Sequence, residues 1–317
     1  MELATITAGQ VFVLFILIGA GFVGAKSGVI KQEGKKAFSD LLIYLVVPAM
    51  IIDSYMSKFD SKVFGNLMWA FLISAILLLS GLGISFLLTA KQKGKDVAIM
   101  RFACIFPNAA YMGFPLIRAL FGAEGLLYAS AFVTMFNLLL WTVGYAIVSG
   151  EIKLKAVIKN VLATPVLVSV AIGLVLYLTQ LPVPQLLRQP INLLGSMNTA
   201  LSMVITGMII AGSSMKKLLA NKKILFVIAV RMLVVPVVCF AIYYVTSRFG
   251  ILEAIGLSTM VMQVLLIQES CPTAAMTSVF AVQFGHDEDL AAGAVVITTF
   301  LSILTLPILA LLMSGVV

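Results

Sequence analysis

The sequence predicts an all-α membrane protein with ten transmembrane helices in two inverted five-helix repeats, in which helices four and nine are broken and cross. Three observations predict this fold: the composition, the placement of basic residues and a proline motif that occurs twice. Of the 317 residues, 62% are hydrophobic and only 11% are charged. Soluble domains carry about 25% charged residues. A soluble fold could not cover so much apolar surface, so lipid must cover it.

Ten apolar runs follow one another along the chain, and each approaches the roughly 20 residues that a membrane-spanning helix needs. The runs cover residues 8–25, 38–57, 66–90, 98–120, 126–149, 161–179, 191–214, 224–246, 254–282 and 290–314. Three prolines, Pro182, Pro184 and Pro190, predict a linker between Leu181 and Asn192, because proline removes a backbone donor.

The basic residues predict the orientation of these helices. If the N-terminus is outside, the inner loops hold 14 Lys and Arg residues and the outer loops hold 5. Short cytoplasmic loops carry such an excess of positive charge, so both termini are predicted to lie outside a bacterial-type inner membrane. The Lys and Arg residues that produce the net charge of +8 therefore lie mainly in the loops between helices. They form no basic stripe for nucleic acid.

The loop around Lys153 and Lys159 divides the chain into a first half, 1–150, and a second half, 151–317. Five predicted helices precede this loop and five follow it. Because five is odd, the second half enters the membrane in the opposite orientation. This arrangement is typical of inverted-repeat transporters.

The two halves share a proline motif at their fourth helix. The first copy runs from Pro107 through Asn108, Ala109 and Ala110 to Tyr111. The second copy contains Pro272, Thr273 and Ala274, followed by Ala275. Each proline lies near the middle of its run, where a freed backbone group is tolerated only inside protein or beside water. Two ordinary helix kinks are the alternative interpretation.

Two broken helices that meet at mid-membrane would form an anion site. The N-terminal end of a helix carries unpaired N–H groups and roughly half a positive charge. Asn108 and Thr273 could add side-chain donors, and the alanines would let the segments approach closely. We therefore expect substrate binding at Pro107, Asn108, Ala109, Ala110, Tyr111, Pro272, Thr273 and Ala274.

Ionisable residues inside a membrane are candidates for function because their burial is costly. Glu269, beside Gln268, precedes Pro272 by three residues and could bind Na⁺, carry a proton or be a neutral structural acid. Asn137 could bond between helices or line a pore. Arg231 could snorkel to the inner surface or pair with a carboxylate. We assign coupling or gating to Glu269, Gln268 and Asn137.

The chain resembles the auxin efflux carrier family, and within it the bacterial members described as malate or malonate permeases. The resemblance rests on FPNAAYMGFPL at 106–116, CPTAAM at 271–276 and TTFLSILTLP at 298–307. It implies a scaffold of helices one, two, six and seven, and a transport core of helices three to five and eight to ten. It also implies an X-shaped crossover that binds a carboxylate through Pro107, Asn108 and Pro272.

The sequence thus predicts a secondary transporter of small mono- or dicarboxylates, such as malate or malonate, or of auxin-like carboxylates, by alternating access. The alternative is a sodium-coupled symporter of a larger amphipathic anion, similar to bile-acid symporters. We expect no enzymatic activity and no cofactor beyond a coupling ion, H⁺ or Na⁺. The expected partners are a carboxylate and the bilayer, with a homodimer possible and nucleic acid excluded.

Overall fold

The computed structural model describes residues 2–31, 33–150, 164–212 and 221–316 of the chain. Within these ranges the fold is entirely helical, and the only β pairing is a single bridge between Pro107 and Thr273. The predicted inner-loop lysines Lys153, Lys155, Lys159, Lys216 and Lys217 lie outside the described residues.

The helices are numbered α1 to α12 in chain order. The first six are α1 (Glu2–Lys26), α2 (Gly34–Tyr55), α3 (Ser61–Leu88), α4 (Asp96–Ile105), α5 (Ala109–Ser149) and α6 (Pro165–Thr179). The others are α7 (Gln185–Ala211), α8 (Lys222–Arg248), α9 (Ile251–Ala254), α10 (Thr259–Glu269), α11 (Met276–Phe284) and α12 (Glu288–Ser314). The predicted run 98–120 is divided after Ile105, where α4 ends. Its second part and the run 126–149 form α5 and are separated by a kink at Gly122, where φ is 63° and ψ is −147°.

Seven helices of the described residues are long and apolar enough to cross a membrane. Three features account for the difference from the ten expected runs. Helix α5 is counted once, although it contains part of the fourth run and all of the fifth. Helix α6 has 15 residues and begins where the description of the chain resumes. The predicted ninth run is divided into α10 and α11, which are too short to span alone. Membrane-spanning segments are thus present, while the ten-helix inverted repeat stays a prediction.

The predicted linker between Leu181 and Asn192 is wrong for most of its length. Helix α7 begins at Gln185 and includes Pro190 in its first turns. Residues 184–190 are exposed, so water can bond the carbonyl that Pro190 leaves without a donor. A proline near an exposed helix end therefore did not stop the helix.

Within the described residues, four π-helical segments interrupt the long helices, and three of them end two residues before a proline. These three are Leu42–Val46 before Pro48, Ala109–Gly113 before Pro115 and Val230–Val234 before Pro236. The proline ring has no N–H and clashes with the carbonyl four residues earlier. Widening the preceding turn relieves that clash, and such segments are frequent at functional sites.

Helix α1 packs closely along α7 and also contacts α12, while α2 contacts α6 and α7. Large apolar side chains remain exposed on the outer surface of several helices, among them Phe12, Leu87 and Leu304. A soluble monomer rarely exposes apolar patches of this extent. The surface is therefore the one that a lipid bilayer covers.

Candidate functional site: the crossover of two broken helices

The motifs around Pro107 and Pro272 meet inside the molecule. Helix α4 ends at Ile105 and α10 ends at Glu269, after which both chains are unwound. The Asn108 N–H donates to the Pro272 carbonyl at 2.6 Å, and the Ala274 N–H donates to the Phe106 carbonyl at 2.9 Å. Each unwound segment thus bonds backbone groups of the other, as a buried polar backbone requires.

The local sequence explains why both helices break at these points. Proline disfavours helical geometry at the residue before it, and Phe106 is extended, with φ −96° and ψ 113°. Ala109 and Ala274 are almost fully buried, and their small side chains permit the close approach of the two backbones. The breaks that the two prolines predict are therefore present, and they face each other.

Thr273 connects the unwound segment after α10 to the broken helix α4 and to α12. Its hydroxyl donates to the Ala103 carbonyl of α4 at 3.1 Å, and its N–H donates to Oγ1 of Thr298 in α12 at 3.0 Å. Thr273 is fully buried. The proton of its hydroxyl is therefore engaged by the protein in this conformation, and its expected contact with a substrate stays a prediction.

Arg231 of α8 holds the carboxyl-terminal ends of both broken helices. Its Nη1 donates to the carbonyls of Cys104 at 3.2 Å and Ile105 at 3.1 Å, and its Nε donates to the Cys271 carbonyl at 3.1 Å. The same Nη1 forms a salt bridge with Oε1 of Glu269 at 3.0 Å. Both side chains are fully buried. Arg231 is therefore paired with a carboxylate and does not extend to the inner surface.

Glu269 and Gln268 are also fully buried beside the crossover. The second carboxylate oxygen of Glu269 and both polar atoms of the Gln268 amide have no hydrogen-bond partner among the described residues. A side chain at Gly113 would overlap the Gln268 amide oxygen, at 1.9 Å from the added Cβ. The Gln268 amide therefore lies directly against the first turn of α5.

The amino-terminal ends of the helices that follow the breaks keep free donors. In the described part of the chain, no acceptor is found for the backbone N–H groups of Ala109, Ala110 and Tyr111, or of Ala275 and Met276. The Asn108 side chain is only 5% exposed, and it takes part in none of the side-chain hydrogen bonds of the described residues.

This end of α5 contacts two other helices. The π-helical turn Ala109–Gly113 packs against α7, and the Tyr111 side chain lies beside Ser39 and Asp40 of α2. The start of α5 therefore lies at the contact between the crossover and the helices that the resemblance assigns to a scaffold.

The Asn137 side chain bonds within its own helix and makes no hydrogen bond to the crossover. Its amide donates to the Val133 carbonyl one turn earlier in α5, at 2.8 Å. Sequence reasoning missed two members of the site, Thr298 as an acceptor and Arg231 as the partner of both helix ends. The charge of Arg231 inside an apolar run was a usable signal, whereas a threonine in such a run gives none.

One cavity lies away from the crossover, between the end of α2 and the start of α7. It has a volume of about 260 Å³ and is lined by Asp53, Arg188 and Asn192 together with neighbouring polar residues. The Asn192 amide donates to Asp53 at 2.8 Å. No crossover residue lines this cavity. No group of three potential metal ligands occurs among the described residues.

Comparison with known proteins gives a family and two relatives. The family model described as a membrane transport protein matches residues 6–154 and 150–310. An uncharacterized transporter of Methanocaldococcus jannaschii is 24% identical over 309 residues, which cover 93% of this chain and 95% of that protein. An uncharacterized transporter of Methanothermobacter thermautotrophicus is 23% identical over 302 residues, covering 93% of this chain and 94% of the relative.

Proposed function

Because the chain belongs to the auxin efflux carrier family of membrane transport proteins, we propose that it is a secondary active transporter of small organic anions that works by alternating access. The substrates are mono- or dicarboxylates, such as malate or malonate, or auxin-like carboxylates. The observation that carries this proposal is the set of free N–H groups at the starts of α5 and α11.

The electrostatics of these helix ends favour an anion. The N-terminus of a helix carries roughly half a positive charge, concentrated on its unpaired N–H groups. Such ends bind carboxylate and phosphate without any further cation. Discontinuous helices in secondary transporters present these ends to anionic substrate groups near the membrane centre. The N–H groups of Ala109, Ala110 and Tyr111 supply this kind of site here.

Asn108 gives the site a neutral side-chain donor. Its backbone N–H is engaged by Pro272, so the residue is fixed while its amide stays available. Pro107 and Pro272 keep the two segments unwound, and the alanines at 109, 110 and 274 leave room for the substrate. Thr273 holds the second segment against α4 in the conformation described here, and its hydroxyl becomes available when the core moves.

Transport requires the crossover to face each side of the membrane in turn. In our proposal α3 to α5 and α8 to α12 form the moving core, and α1, α2, α6 and α7 form the scaffold. The contact of Tyr111 with α2 lies between these two bodies and breaks when the core moves. The halves 1–150 and 151–317 are the two inverted repeats, and pairing of scaffolds gives a homodimer.

Glu269, Gln268 and Asn137 form the coupling or gating part of the proposal. Gln268 carries two unbonded polar atoms beside the turn that begins α5. A buried amide without partners is costly, and a substrate or a shift of the turn would satisfy it. We therefore place Gln268 between the substrate site and the Arg231–Glu269 pair.

The proposal is tested by replacing Asn108 with alanine. We expect Asn108→Ala to reduce the uptake of radiolabelled malate or malonate into proteoliposomes by about 10-fold or more, since a lost hydrogen bond to a charged group costs about 1.5–3 kcal/mol. Asn192→Ala is the matched control, because it removes the same amide from the cavity lined by Asp53 and Arg188 and should retain uptake. Unchanged uptake in Asn108→Ala, at equal folded yield, would contradict the site.

A further inference from the structure

The Arg231 guanidinium lies where several oxygen atoms converge. A single nitrogen, Nη1, contacts the carbonyls of Cys104 and Ile105 and the Glu269 carboxylate, all within 3.2 Å. The Cys271 carbonyl lies at 3.1 Å from the adjacent Nε. Carbonyls at the ends of broken helices, together with a carboxylate, are the ligands that discontinuous transporter helices offer to Na⁺.

The charges of the crossover balance without a mobile ion. Two helix C-termini contribute roughly −0.5 each, and the two N-termini that follow the breaks contribute roughly +0.5 each. These partial charges cancel, and Arg231 cancels Glu269. Without the guanidinium, the buried Glu269 carboxylate and the carbonyls of Cys104, Ile105 and Cys271 would face one another with no counter-charge.

We propose that Arg231 is a tethered cation, which permanently occupies the oxygen cage of the crossover and so removes any requirement for Na⁺ in binding and transport. Arg231 is a positioning residue in this scheme: it holds the ends of α4 and α10 together and travels with them. This inference rests on the proposed function for its meaning in transport, but the cation site itself can be tested without a substrate.

The test is the thermal unfolding of the purified protein in NaCl, LiCl, KCl or choline chloride at equal ionic strength. The wild-type protein is expected to unfold at the same temperature in all four salts. Arg231→Ala is expected to unfold at a lower temperature and to regain about 2–5 °C in about 100 mM NaCl or LiCl, because a cation that binds only the folded state raises its stability.

Two further variants make the outcome specific. Arg231→Ala combined with Glu269→Gln removes the carboxylate from the cage and should lose the response to Na⁺. Arg231→Gln keeps hydrogen-bond donors for the carbonyls without the charge, and it serves as the test protein if Arg231→Ala gives no folded material. It too is expected to gain stability selectively with Na⁺ or Li⁺.

A selective stabilisation of the wild-type protein by Na⁺ would overturn the proposal, because the cage would then already accept a mobile ion. Equal unfolding temperatures of Arg231→Ala and Arg231→Gln in all four salts would overturn it as well. Neither result depends on the Asn108 uptake experiment. A failure of carboxylate transport is therefore distinguishable from a failure of the tethered cation.

Discussion

Thr273 illustrates how much of the crossover depends on single hydrogen bonds. The residue lies where α4, α12 and the unwound segment before α11 meet, and it is fully buried. Its hydroxyl bonds the Ala103 carbonyl, which lies in the last turn of α4 and has no following helical residue to donate to it. A buried carbonyl that loses its donor costs about 1–3 kcal/mol.

We therefore expect Thr273→Val to lower the free energy of unfolding by about 1–3 kcal/mol, because valine has nearly the same shape but no hydroxyl. Thr273→Ser is the matched control, since it keeps the donor and loses only a methyl group. Thermal unfolding of both variants in detergent measures the difference. An equal loss of stability in the two variants would mean that the methyl contact matters more than the bond to Ala103.

At this scale the sequence predicts some residues better than others. Asn108 and Thr273 could be selected because each follows a mid-helix proline in a repeated motif. Arg231 could be selected as an intramembrane charge, but its partners could not, since depth in a helix does not specify which neighbouring helix presents a carboxylate. The bonds from Arg231 to Cys104 and Cys271 join positions 127 and 40 residues away along the chain.

At the scale of whole helices, close contact between α1 and α7 depends on glycine. A Cβ added at Gly207 would lie 2.1 Å from the Ile18 carbonyl oxygen, and one added at Gly21 would lie 2.3 Å from the Val204 carbonyl oxygen. Both obstacles are backbone atoms, which cannot rotate away. Small residues allow such close approach between membrane helices, whose association depends on packing.

Gly207→Ala is accordingly expected to destabilise the protein by about 1–3 kcal/mol or more through overpacking of the α1–α7 contact. Gly19→Ala is the control in α1, because an added Cβ there meets no atom within 4 Å, and alanine favours a helix over glycine. Thermal unfolding of the two variants provides the comparison. A stable Gly207→Ala variant would show that the two helices can separate without loss.

The apolar runs and the prolines predict most of the helices, but they do not predict correctly where each helix begins and ends. Pro107 and Pro272 break their helices because buried neighbours offer the freed groups new partners. Pro190 lies within a helix because its surroundings are exposed. The same residue type thus has opposite effects, and the difference depends on tertiary surroundings that a single sequence does not contain. The kink at Gly122 is likewise indicated in the sequence by nothing more than the glycine itself.

At the scale of the molecule, its surface combines exposed apolar helices with charged ends. The three cysteines, Cys104, Cys239 and Cys271, are free and buried, so they offer no reactive thiol at the surface. Lys62 and Lys93 are exposed at opposite ends of α3, one after its start and the other after its end. These positions allow the predicted orientation to be tested in the membrane.

We propose that both termini lie outside, because the inner loops carry 14 basic residues and the outer loops carry 5, a bias that orients helices during insertion. Under this orientation Lys62→Cys is expected to react with a membrane-impermeant thiol reagent in intact cells. Lys93→Cys should react only after the membrane is made permeable. The unmodified chain is the background control, since its thiols are buried. Labelling of Lys93→Cys in intact cells, with Lys62→Cys protected, would require the opposite orientation. The Lys-rich inner ends of the helices would then face the exterior, against the charge asymmetry on which the orientation depends.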